Sequence, residues 1–313
     1  MGRFLIGAVA VLALAASMPF FFHNEYFFFA AYVVLQFIVL ATAWNILGGY
    51  AGYVNFGTGA FFAVGAYTAV ALYKAFALPL GLQILAGAAA SGLLGFGVGM
   101  LTLRLRGIFF SIATIAVSII LETVVINWSY VGGAKGLPTL RPTETPFFAS
   151  HTVWLFFVMA VLAVIAVGAA RYVETSWIGR GLRAIRDNEV AAECSGVPTL
   201  KLKLGAATLS GALMGAAGAP YAQYLSFIEP TSTFSLSYAV NALAMPIIGG
   251  MAHWIGPVIG AVLLGSVQQI VTVTISSEIN VLVVGVMLVL FVVAAPEGIL
   301  GLFKRLSSRG RKQ

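Results

Sequence analysis

YVETSWIGRGLRAIRDNEVAAECSGVPTLKLK, residues 172–203, is a polar island between long apolar runs. It carries four of the chain's ten acids and five of its seventeen bases: Glu174, Asp187, Glu189 and Glu193 against Arg180, Arg183, Arg186, Lys201 and Lys203. Elsewhere charge is sparse. Of the 313 residues 60% are apolar and 9% charged, with a mean hydropathy of +1.00, more hydrocarbon than a soluble core of this size takes up. Most of the apolar runs reach or exceed about 18 residues, the length of helix that crosses a hydrocarbon layer of about 30 Å. The short alternating segments of a strand barrel are missing. The chain therefore reads as an all-α, polytopic membrane protein, and the island as its largest loop.

About ten membrane helices are expected, over residues 4–22, 26–47, 56–73, 80–103, 107–128, 153–171, 204–224, 236–250, 255–275 and 280–296. With the N-terminus inside, fourteen bases fall on the cytoplasmic side and only Lys74, Lys135 and Arg141 fall outside. That asymmetry obeys the positive-inside bias and places the island and both termini in the cytoplasm. A single membrane domain spans 1–313, with 172–203 as a cytoplasmic loop within it. The net charge of +7 is then a topology signal. No basic module stands apart from the spans, so nucleic acid is not an expected partner, whereas the lipid bilayer is. The first span, behind Arg3 and ending ALAASMP, also looks like a secretory signal; an uncleaved helix is expected, because the rest of the chain already demands insertion. Cys194 is the single cysteine, which excludes a disulfide framework.

Familiar catalytic patterns are missing. There is no GxxxxGK[ST] loop to cradle a nucleotide. His23, His151 and His253 are isolated, so neither HExxH spacing nor a Cys/His zinc cluster exists, and no metal or cofactor is expected on this chain. Ser111, Ser118 and Ser266 are conceivable nucleophiles, yet Ser and Gly in such helices ordinarily serve close packing. The 35 glycines concentrate around residues 48–67, 86–99 and 247–265, where clusters broken by Pro or Asn mark discontinuous helices. The run 236–250 is too short to cross comfortably and reads as a half-helix or a tilted bundle element. The pairs Gly48/Gly49 and Gly249/Gly250 hint at internal repetition. Glu122 lies about fifteen residues into its span. A carboxylate that deep faces a polar cavity or a partner subunit, but if the span ends one turn earlier it is interfacial. With Asn55, Asn127 and Asn241 it forms the candidate translocation path; Asn45, Gln268 and Gln269 share the same two readings, lining a path or bonding neighbouring backbone.

Within the island Leu182, Ile185, Val190 and Cys194 follow helical spacing. Asp187 and Asn188 suit the start of a second short helix whose first turn carries Glu189, and Gly196, Val197 and Pro198 stop it. Two short helices at the cytoplasmic surface follow. Interleaved charge of both signs argues against simple lipid adhesion and for a protein partner.

The run GRGLRAIRDNEVAAECSG resembles the cytoplasmic coupling loop of binding-protein-dependent ABC permeases, in particular the LivM-type subunit of branched-chain amino acid importers. LRLRGIFFSIATIAVS (103–118), VGGAKGL (131–137), IIGGMAHWIGPVIGA (247–261) and PEGILGL (296–302) resemble the same family and follow its order over most of the chain. The resemblance implies an ABC importer permease fold in the bacterial cytoplasmic (inner) membrane. It implies as partners a LivH-like second permease subunit, two ABC ATPase subunits using ATP-Mg, and a periplasmic substrate-binding protein. Carried onto this chain, it makes Gly179, Arg180, Arg183, Arg186, Asp187, Asn188, Glu189, Ala191, Ala192 and Gly196 the seat of an ATPase. In the EAA pattern an acid precedes two alanines; here Val190 takes that position and Glu189 is shifted by one. Ile108, Ile119, Glu122 and His253 also depart from many relatives. Urea, amides or aromatic acids are therefore alternative cargoes, and a stand-alone secondary transporter or channel is the rival of a different class.

Overall fold

The computed structural model describes residues 2–21, 24–102, 105, 107–138, 150–274, 279–295 and 297–302. The expected bases Arg104, Arg106, Arg141 and 304–312, with His23, lie outside these residues. The described chain is nearly all helix: α1 Gly2–Phe21, α2 Glu25–Ala51, α3 Thr58–Phe76, α4 Leu80–Thr102, α5 Ile108–Ile126, α6 His151–Thr175, α7 Trp177–Asp187, α8 Glu189–Cys194, α9 Thr199–Leu225, α10 Pro230–Thr233, α11 Leu236–Gly249, α12 Gly256–Thr274 and α13 Ile279–Ala294. One two-residue antiparallel pair, β1 Leu137–Pro138 with β2 Phe227–Ile228, is the sheet found among the described residues.

Among the described residues, seven stretches are long and apolar enough to cross a membrane: α2 to α6, α12, and Leu282–Leu302. The other three expected spans are helices too, of 20 residues in α1, 27 in α9 and 14 in α11. α9 is long but less apolar, because Ala, Gly, Ser and Thr dominate it. Its physical reason is position. Most of α9 is buried, packed chiefly against α4 and α3, so its surface meets helix backbones instead of lipid. A Cβ on Gly65 of α3 would collide with the Gly215 backbone of α9, so these helices touch main chain to main chain.

Two helix breaks shape the bundle. At residues 52–57 the chain leaves α2 through Gly52, whose φ of 77° favours glycine, and re-enters a helix at Thr58. Irregular backbone at this depth needs partners for its polar groups. Trp44 Nε1 donates to the Asn55 carbonyl at 2.8 Å, Ser111 Oγ donates to the Val54 carbonyl at 2.9 Å, and Thr114 Oγ1 accepts from the Phe56 N–H at 3.1 Å. Ser111 thus serves the backbone and is not placed as a nucleophile. The second break, residues 250–255, separates α11 from α12 and carries Met251, His253 and Trp254. Asn45 ties α2 to the second break, donating from Nδ2 to the Met251 carbonyl at 3.1 Å.

The bundle has two distinct ends. At one, Lys74 donates to the Tyr130 carbonyl at 2.8 Å, and Val131, Ile228 and Phe234 form a small buried cluster with α3. At the other lie the α7–α8 hairpin, the two breaks and both described ends of the chain. Phe4 packs edge-on against Trp254 with ring centroids 5.7 Å apart, and Leu300 approaches Gly250.

Candidate functional site

The island folds as two short helices at the bundle surface. α7 is amphipathic: Gly179, Leu182 and Ile185 are buried, whereas Arg180 and Asp187 are exposed. Asn188 closes α7 and caps α8, its Oδ1 accepting from the Ala191 N–H at 3.1 Å. Ser195 and Gly196, the latter at φ 81°, end α8 before Pro198 opens α9. Thr199 Oγ1 donates to Glu193 Oε1 at 2.7 Å and ties the end of α8 to the start of α9.

Beneath the hairpin is a charged network with little exposure. Lys203 Nζ donates to Glu189 Oε1 at 2.6 Å, and the two side chains are only 4% and 15% exposed. Tyr53, in the first break, donates its hydroxyl to Glu189 Oε2 at 2.6 Å and accepts from Lys203 at 3.0 Å. A buried ammonium is tolerable only with such close compensation, since desolvation alone costs several kcal/mol per ion. Arg186 Nη1 donates to the Gly49 carbonyl at 3.1 Å, and its stem lies against Gly52, where a Cβ would come within 2.9 Å of it. Arg183 Nη2 donates to the Glu174 carbonyl at 3.2 Å. Glu174, at the root of the hairpin, accepts on Oε2 from the Trp254 N–H at 2.6 Å and from the Tyr50 hydroxyl at 3.3 Å. The hairpin is therefore bonded to the first break directly and to the second through its root.

The ten expected coupling residues consequently divide. Arg180, Asp187, Asn188, Ala191 and Gly196 are exposed, with Val190 51% exposed among them, and form an outward ridge. Gly179 and Ala192 are buried, Arg183 and Glu189 direct polar atoms inward, and Arg186, itself exposed, reaches inward with Nη1 while its Nε faces Asp187. On the ridge Asp187 lies 3.6 Å from Arg186 Nε, with its side chain 73% exposed. Tyr50, Tyr53, Glu174, Lys203 and Trp254 were not among the sequence candidates. Their one linear signal is that Lys203 sits a turn inside an apolar helix.

The four expected path residues are not brought together. Asn55 is 3% exposed and accepts on Oδ1 from the Gly57 N–H at 2.7 Å, stabilising the first break. Asn127 caps α5 and donates to the Thr123 carbonyl at 2.8 Å. Asn241 of α11 accepts from Gln268 of α12 at 2.8 Å. Glu122 is half-buried and stands one turn before α5 ends at Ile126. Each asparagine has a local bonding role.

Residues 26–292, from α2 through most of α13, match the family described as the permease component of the branched-chain amino acid transport system. The chain belongs to that family. This permease is 29% identical over 321 residues to the high-affinity branched-chain amino acid transport system permease protein LivM of Escherichia coli K12, covering 93% of this chain and 74% of the relative. It is 26% identical over 202 residues to a probable branched-chain amino acid transport permease protein LivH of Methanocaldococcus jannaschii, covering 61% of this chain and 63% of that one. A shorter stretch of 111 residues, 34% of each chain, is 29% identical to the ribose import permease protein RbsC of Haemophilus influenzae. No solved structure matches the permease significantly.

Proposed function

We propose that this permease is the LivM-type membrane subunit of an ATP-driven, binding-protein-dependent importer of branched-chain amino acids in a bacterial cytoplasmic membrane. A LivH-like subunit completes the membrane unit, two ABC ATPase subunits using ATP-Mg dock on the α7–α8 hairpin, and a periplasmic binding protein presents solute at the opposite end. The chain itself binds no cofactor and supplies no chemistry. The observation that carries this reading is the two-sided hairpin, with an exposed ridge of Arg180, Asp187, Val190 and Ala191 outside and bonds to the helix breaks inside. Because Glu189 holds Tyr53 and Arg186 holds Gly49, a push on the ridge by closing ATPases moves residues 52–57 with it. Through Glu174 and Asn45 the displacement also reaches residues 250–255. Helix breaks are where a bundle can bend without disrupting continuous backbone bonding.

Uptake of labelled leucine in cells deleted for this chain, with urea and an aromatic acid alongside, tests the assignment. Loss of leucine uptake alone is expected. Normal leucine uptake with loss of another solute refutes the cargo and leaves the permease architecture; no change in any ATP-dependent uptake refutes the importer.

A further inference from the structure

A cavity of the bundle lies apart from the hairpin ridge and touches the second break only at Trp254 and Ile255. It is a groove of about 1110 Å³ open to the side, walled by α1, α2, α6 and α12. On α1 the wall is formed by Phe4, Gly7, Ala8, Val11, Leu14 and Ala15, a stripe at helical spacing that ends near Met18. The groove runs along α1 for the rise of those residues, about 21 Å at 1.5 Å each. Its lining is mostly apolar, with Ser266, Gln269 and Thr274 of α12 as polar side chains along it and Arg171, at the hairpin end, as its single charged residue. The guanidinium sits 4.9 Å over the Phe4 ring and 5.2 Å over the Trp254 ring. Among the described residues Arg171 has no carboxylate partner: Glu174, one turn on, is held by Trp254 and Tyr50.

From this geometry we infer that the groove is a phospholipid site, with the phosphodiester of a lipid from the hairpin-side leaflet on Arg171 and acyl chain running along α1. A planar guanidinium held by stacking presents its remaining N–H groups as a fork suited to phosphate oxygens. Basic residues between membrane helices at the cytoplasmic level recognise lipid headgroups in this way. The competing occupant, a helix of a second membrane subunit, fits less well. A helix there would bury Arg171 against hydrocarbon unless it carried an acid at that height.

The test is a photoreactive amino acid at Val11 of the full-length permease, illuminated in native membranes, followed by mass spectrometry of the purified complex. An adduct of phospholipid mass is expected. A polypeptide adduct, or none of lipid mass, overturns the inference. Native mass spectrometry of unmodified complex supplies the second arm. Arg171→Gln removes the charge, and Gly7→Trp fills the groove at a position where an added Cβ meets nothing within 4 Å. Each is expected to lower retained phospholipid about tenfold, the factor for one charge-assisted hydrogen bond or a blocked site. Occupancy unchanged in both variants overturns the site, whatever solute the importer carries.

Discussion

Replacing Lys203 by methionine removes the ammonium that compensates Glu189 and leaves the carboxylate with the Tyr53 hydroxyl as its remaining close partner in the network. Breaking a fully buried ion pair costs about 3 to 5 kcal/mol, because an uncompensated charge remains in a poor solvent. Here Glu189 is 15% exposed and keeps the 2.6 Å bond from Tyr53, so part of that loss is relieved. About 2 to 3 kcal/mol is expected. Glu189→Gln alone removes the opposite charge from Lys203, which is 4% exposed and keeps its bond to the Tyr53 hydroxyl, and costs a similar amount. The double variant removes both charges together and should lie within about 1 kcal/mol of the unaltered protein, giving a coupling energy of about 2 kcal/mol or more. Chemical unfolding in detergent, followed by tryptophan fluorescence, measures the four corners of the cycle. ATP hydrolysis and leucine uptake on the same samples report whether the hairpin still drives the bundle: the single variants should hydrolyse ATP yet transport poorly. A coupling below about 0.5 kcal/mol, the range of exposed pairs, would refute the claim that this network anchors the hairpin.

Trp44→Phe deprives the buried Asn55 carbonyl of its donor, so amides of residues 52–57 should exchange hydrogen about tenfold faster, and unchanged exchange would show that the break is held otherwise. Gly65→Leu forces α3 away from the Gly215 backbone and should cost about 3 kcal/mol with loss of monodisperse protein, whereas Gly205→Ala, where an added Cβ meets nothing within 4 Å, should be neutral or stabilising. Arg180→Glu with Val190→Lys alters exposed ridge residues that take no part in the bonds to the breaks. ATPase co-purification should fall while unfolding shifts by less than about 0.5 kcal/mol, and intact co-purification would remove the ridge from the contact.

Much of the architecture was legible in the sequence. Run lengths and composition are local quantities, and they marked the helical spans, the short α11 with its 14 residues, and both glycine-rich breaks. The hairpin was equally local: Asn188 as a cap, Gly196 at positive φ and Pro198 after it are signals a few residues wide. The depth of Glu122 turns on one turn of helix, finer than span boundaries can be read from hydropathy. The direction of each charge in the island was not legible at all. Glu189 and Glu193 lie on one short helix and are alike as residues, but Glu189 meets Tyr53 from 136 positions away, and Glu193 meets Thr199 six positions on. Arg186, likewise, is one more arginine of the island until Gly49, 137 positions distant, offers its carbonyl. Sequence alone determined that this chain crosses a membrane as helices and displays a polar hairpin, because partition into hydrocarbon and helix capping depend on neighbours along the chain. Only the tertiary structure decided which hairpin charges bind inward and which form the outer ridge, because burial of an ion depends on a compensating partner that folding brings from elsewhere.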